Sequence, residues 1–158
     1  MLRTFANGTI EWFIDRSRHV VFSRWEGDVT GEEVLAVSPA LWRQHLELVR
    51  FGAVHDQLDF TGVIEHRYGR ELMRLREQTF GDAEPNLRTA VVTADPMKFF
   101  ELKVVRIEAP ANRQFRLFDN NAAALAWVTA DEPGNPSALH GRKDGPLPWW
   151  FYRATAKA

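Results

Sequence analysis

Between Thr30 and Val128 short β-rich runs alternate with segments of helical periodicity, and that alternation leaves few folds open. Strands are predicted at Ala53–Phe60, Leu87–Thr93 and Arg113–Phe118, with helices over about Thr30–Leu48, Arg67–Thr79 and Asp95–Ile107 placed before or between them. A last helix runs from Asn120 to Val128 with Asp119 as its cap. Strands joined through a helix run parallel, because a parallel pair needs a long crossover. The local signals agree. Thr30-x-x-Glu33 has capping-box spacing, and Val34, Val37, Leu41 and Trp42 follow at helical intervals, with a kink expected at Pro39. Tyr68, Leu72, Leu75 and Thr79 share one face of the second helix. Asp95-Pro96 reads as a cap followed by proline at the first helical position. Arg113 to Phe118 alternates polar and apolar residues, the period of a strand with one buried face.

Two extended runs precede this series. Thr9–Asp15 and His19–Glu26 are rich in aromatic and β-branched residues, and Arg16, Ser17 and Arg18 form the turn of a β-hairpin. The expected fold class is α/β: a mixed sheet, with an N-terminal antiparallel hairpin plus parallel strands, and flanking helices. A chain of 158 residues fits one domain of this kind, taken as 1–128, followed by an irregular tail, 129–158. The tail is rich in proline and glycine but carries Pro148-Trp149-Trp150-Phe151-Tyr152. Exposing so many aromatics is costly. The segment therefore docks on its own domain, on a twin subunit, or on another protein.

Charge and composition exclude several classes. Twenty basic against 21 acidic residues leave a net charge of −1, so no global field draws the chain to nucleic acid. Cysteine is absent, which removes disulfides, thiolate catalysis and cysteine-based metal sites together. Met1 to Thr9 does not read as a signal peptide, and no stretch approaches the ~20 apolar residues of a membrane span. A cytoplasmic protein is expected.

Several of these segments together resemble a known family. They are Trp25-Glu26-Gly27-Asp28-Val29-Thr30, Leu58-Asp59-Phe60-Thr61-Gly62-Val63, Arg88-Thr89-Ala90-Val91-Val92, Phe115-Arg116-Leu117-Phe118-Asp119 and Ala124-Leu125-Ala126-Trp127. In this order and spacing the chain resembles the SpoIIAA-like proteins, relatives of the STAS domain of anti-sigma-factor antagonists, and is similar in architecture to the lipid-binding Sec14 type. STAS antagonists place a phosphorylatable serine at the start of the helix after the central strand. Here that segment reads Ile64-Glu65-His66-Arg67-Tyr68-Gly69, so the resemblance carries over no phospho-switch. It implies the fold and a non-catalytic regulatory role.

In open α/β sheets ligands sit beyond the carboxyl ends of the strands. Those ends supply Asp59, Thr61, His66, Arg67 and Tyr68 from one loop, and Thr93, Asp95 and Lys98 from another. Helix N-termini converge there, and Arg67 or Lys98 completes a candidate site for a phosphate or carboxylate head group. The plain alternative makes Asp95 and Asp119 simple helix caps and Arg67 a solvated side chain. His55 and Asp56, adjacent on a strand, point to opposite faces and cannot share an ion, so no metal is expected. No Gly-x-Ser-x-Gly elbow or Gly-rich phosphate loop is present, and no catalytic residue or cofactor is assigned. The segment Met97–Ile107, which includes Phe99 and Phe100, is apolar around most of its circumference. It packs in the core, forms a homodimer interface, or lines a ligand cavity.

The expected function is a non-catalytic binding domain, a homodimeric module for regulatory protein–protein interaction. The alternative is a small carrier for a lipid or other apolar anionic ligand, its head group near Arg67 and Asp95. One feature separates them: a carrier needs a cavity of several hundred Å³, whereas a docking module can be solid throughout.

Overall fold

A computed structural model describes residues 1–81, 87–95, 97–98, 113–135, 137 and 145–153. Its six strands are β1 Leu2–Thr4, β2 Gly8–Asp15, β3 Val20–Gly27, β4 Gly52–Phe60, β5 Leu87–Val92 and β6 Arg113–Phe118. Three helices accompany them: α1 Gly31–Gln44, α2 His66–Phe80 and α3 Asn121–Val128. The sheet is mixed, as expected: β1, β2 and β3 pair antiparallel, and β3 through β6 pair parallel.

The β2–β3 turn is locked by one carboxylate. Asp15 accepts hydrogen bonds from the Ser17 amide at 3.0 Å, the Ser17 hydroxyl at 2.6 Å and the Arg18 amide at 3.1 Å. Arg18 closes a buried ion pair on the same carboxylate at 2.5 Å. α1 starts on the expected capping box, with Thr30 and Glu33 each bonding the other's backbone N–H. It continues through Pro39 but stops at Gln44, short of the predicted Leu48. The His45 amide closes it onto Leu41 and Trp42, and Leu46–Arg50 form a separate 3-10 helix. The cap of α3 is Asn120, whose side chain accepts from the Ala123 amide at 2.8 Å, rather than Asp119. Strand β1 was not predicted. It is three exposed residues, too short for a periodic signal. The predicted helix over Asp95–Ile107 falls largely outside the described residues, and Phe99 and Phe100 lie wholly outside them.

Strand order follows chain order from β1 to β6. Each parallel crossover therefore steps the same way, and right-handed crossovers stepping one way place their helices on one face. α1 and α2 accordingly share a core with Ile10, Trp12, Val21 and Leu48. α3 packs on the opposite face with Val20, Phe22, Val54, Ala90 and Val92. The tail closes that second face: Trp150 and Phe151 are buried in it, only 2% and 6% exposed. Asn121 ties the layers together. Its amide donates to the buried Asp56 carboxylate at 2.8 Å and to the Phe151 carbonyl at 3.4 Å.

Candidate functional site

A cavity of about 810 Å³ lies between the sheet and the α1/α2 layer. The strands build its floor by period two, since alternate side chains point to one face. Val21, Ser23 and Trp25 come from β3; Ala53, His55 and Gln57 from β4; Leu87, Thr89 and Val91 from β5; Phe115 and Leu117 from β6. α1 contributes Val34, Leu41 and Trp42 to the walls, and α2 contributes His66, Gly69, Leu72 and Met73. Helix α2 buries no residue completely, although Leu72, Leu75 and Phe80 pack against the core. It stands off the sheet, and the space beneath it is the cavity.

Most of the floor is apolar, yet four polar side chains interrupt it. Trp25 Nε1 donates to the Ser23 hydroxyl at 2.8 Å, and that hydroxyl shares a 2.6 Å hydrogen bond with His55 Nδ1. Gln57 and Thr89 line the same floor, and neither side chain is hydrogen-bonded to another of the described residues. The Trp25 ring packs edge-on against His55, with centroids 6.3 Å apart, and against Phe60 at 5.5 Å. The Lys98 ammonium sits 4.8 Å from the Phe60 ring and 3.5 Å from the Gly62 carbonyl oxygen.

The residues expected to bind from the sequence divide sharply. His66 and Lys98 line the cavity. Arg67 does not: it is exposed, bonds Glu65 at 2.9 Å and lies over the Tyr68 ring. The Tyr68 hydroxyl donates to Glu32 at 3.0 Å, which holds its phenol above the ordinary tyrosine value. Its ring packs so closely on Gly31 that a Cβ there would come within 2.3 Å. Asp59 pairs with Arg24 at 3.1 Å and also with Arg153. Thr61 is exposed and its amide donates to the Gly27 carbonyl at 3.0 Å. Asp95 is exposed and accepts from the Met97 amide at 2.8 Å, the plain capping role. Strand order never reverses along this sheet, so no topological switch point marks a site, and the residues from the carboxyl-end loops divide between the cavity and the surface.

Sequence reasoning missed Ser23, Trp25, His55, Gln57, Thr89 and Gly69 as site residues. A signal existed for the first five, which occupy positions of one parity on strands predicted to be buried. His55 and Asp56 do face opposite sides, His55 the cavity and Asp56 the layer of α3.

No protein-family model matches the chain, and no curated protein matches it. A solved structure does: an uncharacterized protein from the DUF3478 family, with a SpoIIAA-like fold, from Shewanella loihica PV-4. The match covers 80% of this chain and 98% of that one, with a TM-score of 0.56 at 18% identity. The fold is SpoIIAA-like. That fold supplies the one-directional sheet and the helical layer above it. It does not supply a ligand, since at this identity the likeness reaches the fold alone. No helix among the described residues is long and apolar enough to cross a membrane.

Proposed function

We propose that the protein is a non-catalytic binding domain that holds a small, mainly apolar molecule between the sheet and helices α1 and α2. The single observation that carries this reading is the cavity of about 810 Å³, within the ~300–1,000 Å³ range of small-molecule sites. Its walls are dominated by aromatic and aliphatic side chains, Trp12, Trp25, Trp42, Phe51, Phe60 and Phe115 among them. Apolar walls on this scale favour an apolar guest. Ser23 is buried, and its hydroxyl is bonded to both the Trp25 indole and His55, which fixes the polar part of the floor.

The interaction module expected from the sequence stands as the second reading. It is favoured by Trp149 and Tyr152, which stay 63% and 81% exposed while their neighbours Trp150 and Phe151 are buried. The two-subunit assembly and the cytoplasmic setting belong to that same proposal. Native mass spectrometry of the purified full chain, followed by the same sample denatured, tests both readings. An excess of a few hundred daltons that is released on denaturation is the expected result. A mass with no excess, together with no uptake of apolar probes, would overturn the cavity reading and leave the interaction module in front. The native mass also reads the assembly, one subunit or two.

A further inference from the structure

Resting on the cavity reading, we infer that the guest is an uncharged molecule with an apolar body and a hydrogen-bonding group near each end, one for Thr89 and one for Gln57. Among the described residues, the strands that build the floor bring no Asp, Glu, Lys or Arg to it. Alternation alone would have admitted one. Asp59 has the parity of Ala53, His55 and Gln57, which all line the cavity. Past Gln57 the strand bulges: β4 has one residue more than β3 between the pairs Arg24–Asp56 and Glu26–Asp59. The Leu58 amide donates to the Asp56 carboxylate there at 3.1 Å. Asp59 pairs instead with Arg24 and Arg153, and Phe60 lines the cavity in its place.

Charge does reach the helical wall, and there it is engaged. Arg74 bonds Glu71 at 2.8 Å; Arg76 bonds the Leu48 carbonyl at 3.3 Å and lies over Trp42 and Phe80. Arg70, Arg76 and Lys98 each hold a further interaction. Glu65 pairs with Arg67, and Glu77 is exposed. A charged guest would leave water for a floor without a counter-ion, which costs far more than the same transfer of a neutral polar group.

Neutral hydrogen-bonding groups are what the floor offers. Thr89 is only 7% exposed and lines the cavity, and its hydroxyl has no hydrogen bond to another of the described residues. Gln57 brings a carboxamide in the same condition. A buried polar group without a partner is costly, and a hydroxyl or carbonyl on the guest relieves it. The two positions also set the guest's length. Thr89 pairs with Ala53, and Gln57 lies four residues further along β4, ~13 Å away at ~3.3 Å per residue. Over that stretch the Ser23 hydroxyl is already taken by Trp25 and His55, and Val91 and Leu117 are apolar, so the body of the guest lies there.

The test is calorimetric titration of the full chain with decane-1,10-diol, decanedioate and decan-1-ol. The first two are elongated molecules with a polar group at each end and differ in charge. The diol should bind at least roughly 10-fold more tightly than decanedioate. Thr89→Val and Gln57→Leu should each weaken the diol about 3- to 10-fold, the worth of one hydrogen bond, and Thr89→Ser should retain its affinity. Gly69 lines the cavity from the middle of α2, and a Cβ built there would meet nothing within 4 Å, so Gly69→Trp should fill the guest's space and weaken the diol too. Decanedioate binding as tightly as the diol would overturn the uncharged guest. Diol affinity that survives both Thr89→Val and Gln57→Leu, or that Gly69→Trp leaves untouched, would overturn the placement. Binding of decan-1-ol without the diol would overturn the inference and leave the cavity as an apolar site. If neither alcohol binds, the cavity reading itself fails and takes the inference with it. Circular dichroism on each variant separates lost binding from lost fold, and the comparison of diol with decanedioate needs no variant at all.

Discussion

Two glycines on the helical layer show how much a single Cβ can decide. Gly31 opens α1 under the Tyr68 ring, and an added Cβ would sit 2.3 Å from that ring. Gly31→Ala should therefore destabilise the protein by about 1–3 kcal/mol through overpacking, read from urea unfolding. Gly69, inside α2, has open space around it. Gly69→Ala should instead stabilise the chain, by up to about 1 kcal/mol, because it removes the helix penalty of glycine at no steric cost. Equal effects for the two substitutions would show that α2 does not stand where the geometry puts it. Arg18 makes a third case. Its guanidinium is buried against Asp15 and also donates to the Gly145 carbonyl at 3.0 Å. Arg18→Ala should cost about 3–5 kcal/mol in the same measurement, since it strands a buried carboxylate. None of these outcomes is legible from the residue types alone.

At the scale of elements, α1 and α2 are unequal partners. α1 buries Val34, Leu41 and Trp42 and begins on a complete capping box. α2 buries no residue, has no side-chain cap, and ends at Gly81 with a positive φ of 66°. Helices with few buried contacts open first. Hydrogen exchange should therefore show α2 amides exchanging faster than those of α1, and a cavity ligand should slow α2 more than α3. Protection of α2 equal to that of α1 in the free protein would argue against a movable wall. Surface charge adds a smaller effect. Arg74 bonds Glu71 at 2.8 Å and holds that carboxyl below its ordinary value. A depressed acid stabilises the fold above its unfolded value, so this support is present at neutral pH and is lost as pH falls through the depressed value. Protection of α2 should then decline at acid pH, and Glu71→Gln should remove that decline.

For the whole molecule, the aromatic segment of the tail belongs to the core. Trp150 and Phe151 bury themselves beside Phe22, Ala124 and Val128, and Gly145 is fastened to the β2–β3 turn through Arg18. Trp150→Ala should cost about 3–5 kcal/mol by thermal or urea unfolding, whereas Trp149→Ala, at an exposed ring, should cost far less. Similar costs at the two positions would mean that the segment docks differently. The hairpin, the capping box of α1, the parallel strands and the order of β2 to β6 with α1, α2 and α3 were readable in the sequence. They depend on short-range rules: period two, period 3.6, caps and crossover length. The SpoIIAA-like fold was legible only as a resemblance, carried by segments such as Trp25–Thr30 and Leu58–Val63. The site was not legible, for a physical reason. A cavity is a difference between the volume that α1, α2 and the strands enclose and the volume their side chains fill, and neither term is local. Only the tertiary structure decided that α2 stands off the sheet, that Arg67 turns outward to Glu65, and that Lys98, Trp25, His55 and Gln57 line one chamber.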